Sequence, residues 1–594
     1  MKRWIFLCLS VGVGWFFGAG TAWTLDRPAW MDEPGIVMAG NWEEPTFRAR
    51  RMGRLDFTLP PERLEGYERE HSPEMVAELK ELGVNFLMIH CYKGAGLETE
   101  RQGMEDAKKL AALARQAGMR VGTYIGGTML YERLFKEEPN APQWQAFGPA
   151  GEPLYYSSSQ KFRYAAVRNH PDFIEYLKKP VRFAIEEVKA DLIHFDNFGL
   201  GSASYDPVSK QQFRAFLKAR GMAEAEPPAS IANPNDPLVR AWLDFKCQAL
   251  ADHYAAMSKY IRSLNPRCGV ESNPGSVLAA GRSRTGVDHA RLMPHGNASW
   301  DEARSTAWDP KSRMARTRIR SLKVGRLFNN STFLYTETPL DAAESMAFNL
   351  NCLGSVAWFE WGRVRSAHLN DQPIHPELKT YIRFFLDRPD LFRCSKPVAD
   401  VAVLRTFAET NFGSSAENAK RNNIEQGLIQ GSTAWRIIFD GQLDALDDYR
   451  VVIVPGKTWL TAAQQKALDD FATRGGLVMP AMSVANPAET AVLLRDKLRL
   501  VVEAPSSVAV ELCEQASPKR VLIHFVNYNA EETLENVQVK IRFKSGRPSR
   551  VRLLSPDPAG DKSLKIRGKD GQYSFTLPKL KIYAVAVIEG ASVQ

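Results

Sequence analysis

The chain has 594 residues, a formal net charge of +9, 24% charged residues and 44% apolar residues. A chain of this length is expected to form about two to four domains, and the composition is that of a globular protein with a large core. The positive charge is spread along the chain, and no basic run is interleaved with aromatic residues, so nucleic-acid binding is not expected. The densest basic stretch, residues 313–326, has helical spacing and is typical of a solvated helix face.

The first 22 residues have the pattern of a targeting signal. Lys2 and Arg3 precede an apolar run, and the small residues 18–22 offer a cleavage site. We therefore expect residues 1–22 to be a signal peptide and the protein to be exported, to the periplasm or the extracellular space. An uncleaved membrane anchor is the alternative, because apolar and small residues continue to Ala22.

Strand-like and helix-like segments alternate from about residue 35 to residue 388. The strand patterns cover residues 35–41, 84–92, 120–125, 191–196, 268–273, 297–302, 332–337 and 355–361. Clear helical patterns cover residues 73–82, 105–116, 171–189, 238–264 and 377–386. Eight alternating units predict an α/β fold with a (β/α)8 TIM barrel over residues 30–390, in which catalytic groups lie where the strands open into loops.

The composition changes after Pro389. Strand patterns at residues 399–404 and 449–455, a helix at 462–474 and a further strand predict a small doubly wound α/β domain over residues 396–505. From Ser507 onward, short alternating strands are separated by turns, which predicts a β-sandwich over residues 507–594.

The most informative segment lies in the fourth predicted strand, Asp191-Leu-Ile-His-Phe-Asp-Asn-Phe-Gly199. It has the pattern of a buried strand that ends on a carboxylate and then breaks at glycine. Because side chains alternate along a strand, Leu192, His194 and Asp196 are expected to share one face. Asp196 at the C-terminal end of a barrel strand is therefore the first candidate for a catalytic acid.

The order of the three predicted domains resembles a known enzyme family. A barrel, an amidotransferase-like α/β domain and a small β-sandwich are similar to the architecture of glycoside hydrolase family 42 β-galactosidases, in which the middle domain is called the trimerisation domain. Residues 449–455 and 471–477 carry this likeness. The resemblance implies a glycosidase with an oligo- or polysaccharide substrate, and it suggests self-association through the middle domain.

The barrel itself looks closer to uncharacterised glycosyl hydrolases related to α-fucosidase and α-amylase-like barrels. Residues 193–199, 300–302 and 357–362 carry that likeness. One position departs from family 42, which places Asn-Glu after the fourth strand where this chain has Asp196-Asn197. That departure argues against β-galactosidase activity.

Glycoside hydrolysis needs one carboxylate as nucleophile or base and one protonated carboxyl group as acid. Asp196 is the expected nucleophile. Glu302 ends the sixth strand, where α-glycosidases with a fourth-strand aspartate often carry their acid/base, and Asp301 is its rival. Glu337 occupies the strand-seven position of the β-glycosidase nucleophile and otherwise suits a sugar-hydroxyl acceptor. Glu271 and Glu360 are further acids at strand ends.

Other side chains near the strand ends suit sugar binding. Alternation places Met88, His90 and Tyr92 on one face, so His90 and Tyr92 are expected to reach a sugar at the barrel mouth. His194 either orients Asp196 or fills a barrel layer. The remaining candidates are two amides, two indoles and an acid placed between indoles: Asn197, Asn273, Trp300, Trp361 and Glu360.

The sequence therefore predicts an exported glycoside hydrolase, retaining, with Asp196 as nucleophile and Glu302 as acid/base. The chemistry requires no metal and no cofactor. One alternative is a β-glycosidase in which Asp196 is the acid and Glu337 the nucleophile. The other is a glycan-binding relative whose barrel has lost one carboxylate.

Overall fold

The structure is a computed structural model that describes residues 25–199, 203–278, 281–303, 305–367, 372–484, 486, 489–558 and 560–593. The predicted signal peptide lies outside the described residues. Within those ranges, no helix is long and apolar enough to cross a membrane.

Eight strands form the centre of the N-terminal part. They are β1 Ile36–Asn41, β2 Phe86–Tyr92, β3 Arg120–Ile125, β4 Leu192–Phe195, β5 Gly269–Ser272, β6 Ala298–Trp300, β7 Ser331–Phe333 and β8 Cys352–Glu360. All neighbours are parallel, in the order β7-β6-β5-β4-β3-β2-β1-β8. A parallel bridge between Tyr335 and Ser355 joins the two ends, so the sheet curls back on itself. The predicted α/β barrel is confirmed.

The barrel strands alternate as the sequence predicted. Met88, Leu192 and Phe333 point into the barrel and belong to one apolar cluster. Leu87 and Ile193, one position along, point outward and pack in a separate cluster against the surrounding helices. This two-residue period fixes which side chains of each strand end face the mouth of the barrel.

Helices surround the barrel. They are α1 Pro45–Arg51, α2 Pro61–Glu70, α3 Pro73–Leu82, α4 Arg101–Gln116, α5 Pro171–Glu186, α6 Pro207–Ala219, α7 Pro237–Leu264, α8 Ile319–Leu327, α9 Pro339–Phe348 and α10 Leu378–Asp387. The ends of α3 show why the sequence folds this way. Ser72 caps its first turn by accepting the N–H of Met75, and Gly83, with φ of 102°, ends it in the left-handed conformation that favours glycine.

Two connections extend over the mouth of the barrel. The first carries α1 and α2 between β1 and α3. The second, between β3 and α5, contains the antiparallel hairpin of Met129–Tyr131 with Arg163–Ala165. Both supply side chains to the region around Asp196, as described below.

The middle part of the chain forms a four-stranded parallel sheet. Its strands are β9 Val401–Arg405, β10 Trp435–Phe439, β11 Val451–Val454 and β12 Leu477–Pro480, in the order β10-β9-β11-β12. Its α-helices of six residues or more, within the described ranges, are α11 Phe407–Phe412, α12 Ser415–Gln430 and α13 Ala462–Thr473. The alternation of parallel strands and helices is that of a small doubly wound sheet.

The C-terminal part consists of two antiparallel sheets. One pairs β14 Val508–Gln515, β15 Arg520–Asn527, β21 Tyr583–Glu589, β17 Arg550–Leu554 and β18 Lys562–Lys565, with Lys396–Pro397 at its edge. The other pairs β13 Leu500–Glu503, β16 Leu534–Arg542, β20 Gln572–Leu580 and β19 Arg567–Lys569. Apolar side chains of both sheets form one cluster between them, as in a β-sandwich.

Buried charges connect the barrel to the C-terminal sheets. Lys323 on α8 forms an ion pair with Glu511 on β14, and both side chains are at most 3% exposed. Tyr528, which follows β15, donates its hydroxyl to Glu344 on α9 at 2.5 Å. These contacts join the helices next to the sixth to eighth barrel strands to the C-terminal sheets.

Candidate active site

Asp196 lies where β4 opens into its loop, at the C-terminal edge of the barrel sheet. Its backbone N–H donates to the carbonyl of Ile125 at 3.1 Å. The next residue, Asn197, has φ of 52°, a left-handed conformation that asparagine adopts more readily than most residues. Arg168, which is buried, donates to the carbonyls of Asn197 at 3.1 Å and Phe198 at 2.5 Å. The backbone of the turn is therefore fixed by Ile125 before the carboxylate and by Arg168 after it.

The Asp196 carboxylate accepts hydrogen bonds from three neighbours. The hydroxyl of Tyr124, at the end of β3, and the side-chain amide of Asn197 both donate to Oδ2. The side-chain amide of Asn273, which follows β5, donates to Oδ1 at 2.9 Å. The side chain of Asp196 is 15% exposed, so a substrate at the mouth has access to it. Asn197 and Asn273, which the sequence suggested as sugar-binding amides, thus lie beside Asp196, and sugar binding by them stays a prediction.

His194 lies beneath Asp196 inside the barrel and is almost fully buried. Its Nε2 is 3.7 Å from Oδ1 of Asp196, and its Nδ1 is bonded to the buried carboxylate of Glu271. Burial by itself lowers the pKa of His194, but the charge of Glu271 and the contact with Asp196 outweigh it and raise the pKa to about 9. At neutral pH His194 is a cation between two carboxylates.

Glu302 approaches Asp196 from the loop that follows β6. The same amide nitrogen of Asn273 that bonds Asp196 also donates to Oε1 of Glu302 at 3.1 Å. Glu302 is exposed at the mouth, whereas its predicted rival Asp301 is 1% exposed. Asp301 accepts the Ser321 hydroxyl of α8 and the N–H of Ala303, so it anchors the loop from behind.

The two carboxyl groups have different proton affinities. Burial raises the pKa of Asp196, but neighbouring His194 and the charge of Lys93 outweigh it and hold that pKa well below its usual range. Desolvation and the negative charge of Asp196 raise the pKa of Glu302. A pair of carboxyl groups whose pKa values are pushed apart by their surroundings is the usual sign of separate base and acid roles.

Glu337 lies further along the mouth, after β7. Its carboxylate accepts the hydroxyls of Ser305 at 2.5 Å and Ser366 at 2.6 Å. Its backbone N–H donates to Asp341, which belongs to the capping box at the start of α9. The charges of Glu302, Asp196 and Glu337 all reach the Tyr335 hydroxyl, whose pKa is raised by burial and by these charges. The three predicted catalytic acids therefore surround one site.

Aromatic rings form the floor of the site. Trp42, which directly follows β1, packs against Trp300 with ring centroids 5.0 Å apart, and against Trp358 at 5.7 Å and His194 at 5.9 Å. Trp300 also packs edge-on against Tyr335 at 5.3 Å. Trp300 is only 2% exposed, so it supports the floor and does not offer the open stacking face that the sequence suggested.

The expectation for Tyr92 is wrong. The register between β2 and β3 shifts between His90 and Tyr92, and this irregularity turns Tyr92 outward. Its ring packs in the outer cluster, and its hydroxyl is bonded to that of Tyr176 on α5 at 2.9 Å. A strict two-residue alternation could not reveal this change of face.

His90 and the residues after β8 also differ from expectation. His90 is fully buried beneath Tyr67 and His71, so it does not line the open mouth. Trp361 has the guanidinium groups of two arginines over its ring, Arg48 at 4.7 Å and Arg63 at 5.0 Å, so it packs against cations rather than presenting a free platform.

Glu360 is placed by the same arginine cluster. It lies 3.7 Å from Arg48 and 3.3 Å from Arg365. Burial and the charges of neighbouring acids raise the pKa of Glu360, and the two arginines oppose that effect. The carboxylate is thus paired with guanidinium groups and not held between indoles as the sequence predicted.

Four residues of the site were not among the predicted ones. They are Trp42, Tyr124, Lys93 and Arg163. Tyr124 was detectable, because it lies on the inward face of β3 next to the strand end. Trp42 directly follows β1 and Lys93 directly follows β2, whereas Arg163 begins the short strand Arg163–Ala165, in a connection whose path no periodicity predicts.

Comparisons with known proteins identify the fold. No protein-family model matches the chain. No curated protein matches it by sequence. Among solved structures, alpha-L-fucosidase isoenzyme 2 from Paenibacillus thiaminolyticus is similar with a TM-score of 0.63 at 14% identity, covering 87% of this chain and 96% of that one. A catalytic mutant of Gan42B, a GH42 beta-galactosidase from G. stearothermophilus, gives 0.61 at 11% identity, covering 94% and 98%.

A third structure shows the same extent of similarity. The beta-galactosidase from Bacillus circulans sp. alkalophilus has a TM-score of 0.59 at 11% identity and covers 93% of this chain and 99% of that one. This chain shares their fold. The resemblance to the architecture of family 42 and fucosidase barrels is confirmed at the level of overall structure.

Proposed function

We propose that the protein is a retaining glycoside hydrolase in which Asp196 is the nucleophile and Glu302 the acid/base. The observation that carries the proposal is the pair of hydrogen bonds from one Asn273 nitrogen to Asp196 and Glu302. It places an ionised carboxylate and a carboxyl group of raised pKa on either side of one amide, at the mouth of a barrel. The fold shared with a fucosidase and β-galactosidases supports it.

The first step follows from the two protonation states. Asp196 attacks the anomeric carbon of the sugar while Glu302 donates its proton to the glycosidic oxygen. The bond between that carbon and oxygen breaks, the alcohol leaves, and the sugar is held as an ester on Asp196. Asp196 loses its negative charge as the ester forms, so the hydrogen bonds from Tyr124 and Asn273 weaken. Protonated His194 keeps the carboxylate ionised beforehand.

The second step reverses the proton transfer. Glu302, now ionised, takes a proton from water, and the hydroxide attacks the anomeric carbon of the ester. The ester bond breaks and Asp196 is released as a carboxylate. The exposure of Glu302 suits both exchange with the leaving group and contact with water.

The spacing of the two groups supports retention of configuration. Asn273 Nδ2 is 2.9 Å from Asp196 and 3.1 Å from Glu302, so the two bonded oxygens are at most about 6 Å apart. Carboxyl groups are roughly 5–5.5 Å apart in retaining glycosidases and roughly 6.5–9.5 Å apart in inverting ones, in which a water molecule must fit between the base and the sugar.

The proposal is tested with the mature chain, residues 23–594, on aryl glycosides of both anomers. Asp196→Asn and Glu302→Gln should each lower kcat by about a thousandfold or more. Azide added to Asp196→Gly should restore turnover and give a glycosyl azide of inverted configuration, because the small anion replaces the missing nucleophile. Asp191→Asn, which changes the acid that follows α5 at the start of the same segment, is the matched control.

The alternatives give distinct results. If Glu337→Gln abolishes activity, and azide rescues the corresponding Gly variant of that residue rather than of Asp196, the β-glycosidase assignment with Glu337 as nucleophile replaces the proposed one. A wild-type protein that binds a glycan but cleaves none would be a binding relative. Export remains a proposal from the N-terminal sequence, and detection of residue 23 as the first residue of the secreted protein would test it.

A further inference from the structure

A buried lysine lies beside the proposed nucleophile. Lys93, directly after β2, is 4% exposed, and its Nζ is 3.6 Å from the centroid of the Tyr124 ring. Tyr124 is the residue whose hydroxyl donates to Asp196. The backbone around Lys93 is fixed, because the Glu100 carboxylate accepts the N–H groups of Lys93, Gly94 and Ala95. The backbone that carries the Lys93 side chain is therefore held in place.

An arginine approaches from the hairpin that follows β3. Arg163 is also 4% exposed, and its guanidinium lies 3.8 Å from the centroid of the Tyr156 ring. Both cations lie over the same Phe47 ring of α1, Lys93 at 4.9 Å and Arg163 at 5.0 Å. The charge of Asp196 acts on both of them.

Neither Lys93 nor Arg163 is paired with a carboxylate within the described part of the chain. Arg163 donates from Nη1 to the side-chain carbonyl of Gln160 at 3.1 Å, and its Nε is buried without a hydrogen-bond partner. The nearby acids are engaged elsewhere: Glu43 pairs with Arg51, and Glu44 caps α1 through the N–H groups of Thr46 and Phe47. Asp196 is held by Tyr124, Asn197 and Asn273.

Buried cations without a carboxylate partner are unfavourable in the empty protein. Burial lowers the pKa of Lys93 to about 8, although Asp196 and Glu43 oppose this effect. A cation removed from water needs a negative counter-charge to be stable, and the aromatic faces of Tyr124, Tyr156 and Phe47 supply only a part of it. An anionic group brought by a ligand would supply the rest.

We infer that Lys93 and Arg163 recognise an anionic substituent, a uronate carboxylate or a sulfate ester, on the sugar whose anomeric carbon Asp196 attacks. This inference rests on the proposed function and names its substrate class. The substituent belongs to that sugar because Lys93 lies over the ring of Tyr124, whose hydroxyl bonds Asp196, and Arg163 lies over the same Phe47 ring as Lys93. Glu302, which serves the leaving group, is exposed. Neutral hexoses would leave the two cations unpaired.

The experiment compares aryl glucuronides and galacturonides with the matching glucosides and galactosides, and with sulfated aryl glycosides. We expect kcat/KM for one charged substrate to exceed that for its neutral counterpart by about a hundredfold or more. Lys93→Met and Arg163→Met, which keep an apolar stem, should each lower kcat/KM for the charged substrate by about thirtyfold more than they lower it for the neutral counterpart. The carboxylate and sulfate arms identify which anion is recognised.

Lys246→Met is the matched control. Lys246 also lies over an aromatic ring, that of Trp242 at 5.8 Å, and burial also lowers the pKa of Lys246 to about 8. Trp242, however, belongs to a different apolar cluster from Phe47, the ring that lies under Lys93 and Arg163. Its substitution should leave the preference for the charged substrate unchanged.

The outcomes separate this inference from the proposed function. Cleavage of neutral glycosides as fast as of charged ones would overturn the inference and leave the glycosidase intact. Equal losses on both substrates in Lys93→Met would also overturn it, since the lysine would then act only on Asp196. If no glycoside is cleaved, calorimetry with glucuronic acid and with a sulfated monosaccharide decides: binding lost in Lys93→Met supports the inference, and no binding overturns it.

Discussion

The side-chain amide nitrogen of Asn273 lies 2.9 Å from Oδ1 of Asp196 and donates a hydrogen bond to it. The second hydrogen of the same nitrogen is directed to Glu302 at 3.1 Å. A primary amide has two donors and loses little by serving two acceptors. Asn273, which follows β5, thus sets the distance between Asp196, which follows β4, and Glu302, which follows β6.

Replacement of Asn273 by leucine should remove the amide that bonds both Asp196 and Glu302. The hydrogen bond from Asn273 lowers the pKa of Glu302, so its loss should move the alkaline limb of the kcat profile to higher pH. We expect kcat to fall by about ten- to a hundredfold, with a smaller change in KM. Asn169→Leu, an asparagine bonded to Ser209 and Gln212, is the control, and an unchanged profile in Asn273→Leu would contradict the assigned role.

The pH dependence of kcat/KM should be bell-shaped and wide. Asp196 must be ionised, and its pKa lies well below the usual range, so the acidic limb should lie at a pH where ordinary carboxylates are already protonated. Glu302 must be protonated, so activity should fall as the pH rises through its raised pKa. Glu302→Gln with an activated aryl leaving group should lack the alkaline limb. A limb that persists in this variant would assign it to another residue.

Two tyrosines that differ by face should respond differently to removal of the hydroxyl. Tyr124→Phe removes a donor to the nucleophile, so kcat should fall by about tenfold or more with little change in the melting temperature. Tyr92→Phe removes the bond to Tyr176 outside the barrel, so stability should fall by about 1 kcal/mol with kcat unchanged. Steady-state kinetics and thermal denaturation of both variants check the pair. A loss of activity in Tyr92→Phe alone would reverse the assignment.

The buried pair of His194 and Glu271 should make stability depend on pH. The pKa of His194 is raised from 6.5 to about 9 in the folded protein, so its contribution is complete below pH 6.5 and is lost as the pH rises through about 9. Glu271→Gln removes the charge that raises this pKa. The variant should therefore be less stable than the wild type at pH 6, by about 2 kcal/mol, and the difference should shrink or reverse at pH 9.5.

Urea unfolding at the two pH values measures that difference directly. Glu271 is fully buried, and burial also raises its own pKa, which opposes the stabilising effect of the pair. A difference between variant and wild type that is the same at both pH values would show that His194 is neutral throughout.

The barrel was predictable because its strands repeat a simple physical rule. A buried strand followed by glycine or a polar turn, and then by an amphipathic helix, recurs around most of the barrel, and the position of Asp196 at the end of β4 follows from that pattern. Alternation also placed His194 and Asp196 on one face. These features depend only on neighbours along the chain, which the sequence shows.

The residues that were missed or misplaced depend on contacts between distant segments. Tyr92 turned outward because one pairing step between β2 and β3 is irregular, and nothing in residues 86–92 marks that step. Arg163 reaches the site through a hairpin nearly forty residues after β3, and Trp361 is covered by arginines from α1 and α2. Sequence periodicity contains no information about which loop folds over which strand end.

The buried ion pair between Lys323 and Glu511 makes the barrel depend on the C-terminal sheets. A barrel shortened at residue 390 would lose Glu511 and Tyr528. Lys323 would then be buried without its carboxylate partner, whereas Glu344 would keep its ion pair with Arg318 and lose one hydrogen bond. The C-terminal sheets thus supply polar partners that water would otherwise supply to these buried groups of the barrel. Glu344 lies on α9, whose first turn binds the backbone of Glu337, so we expect loss of the C-terminal sheets to disturb the position of Glu337 as well.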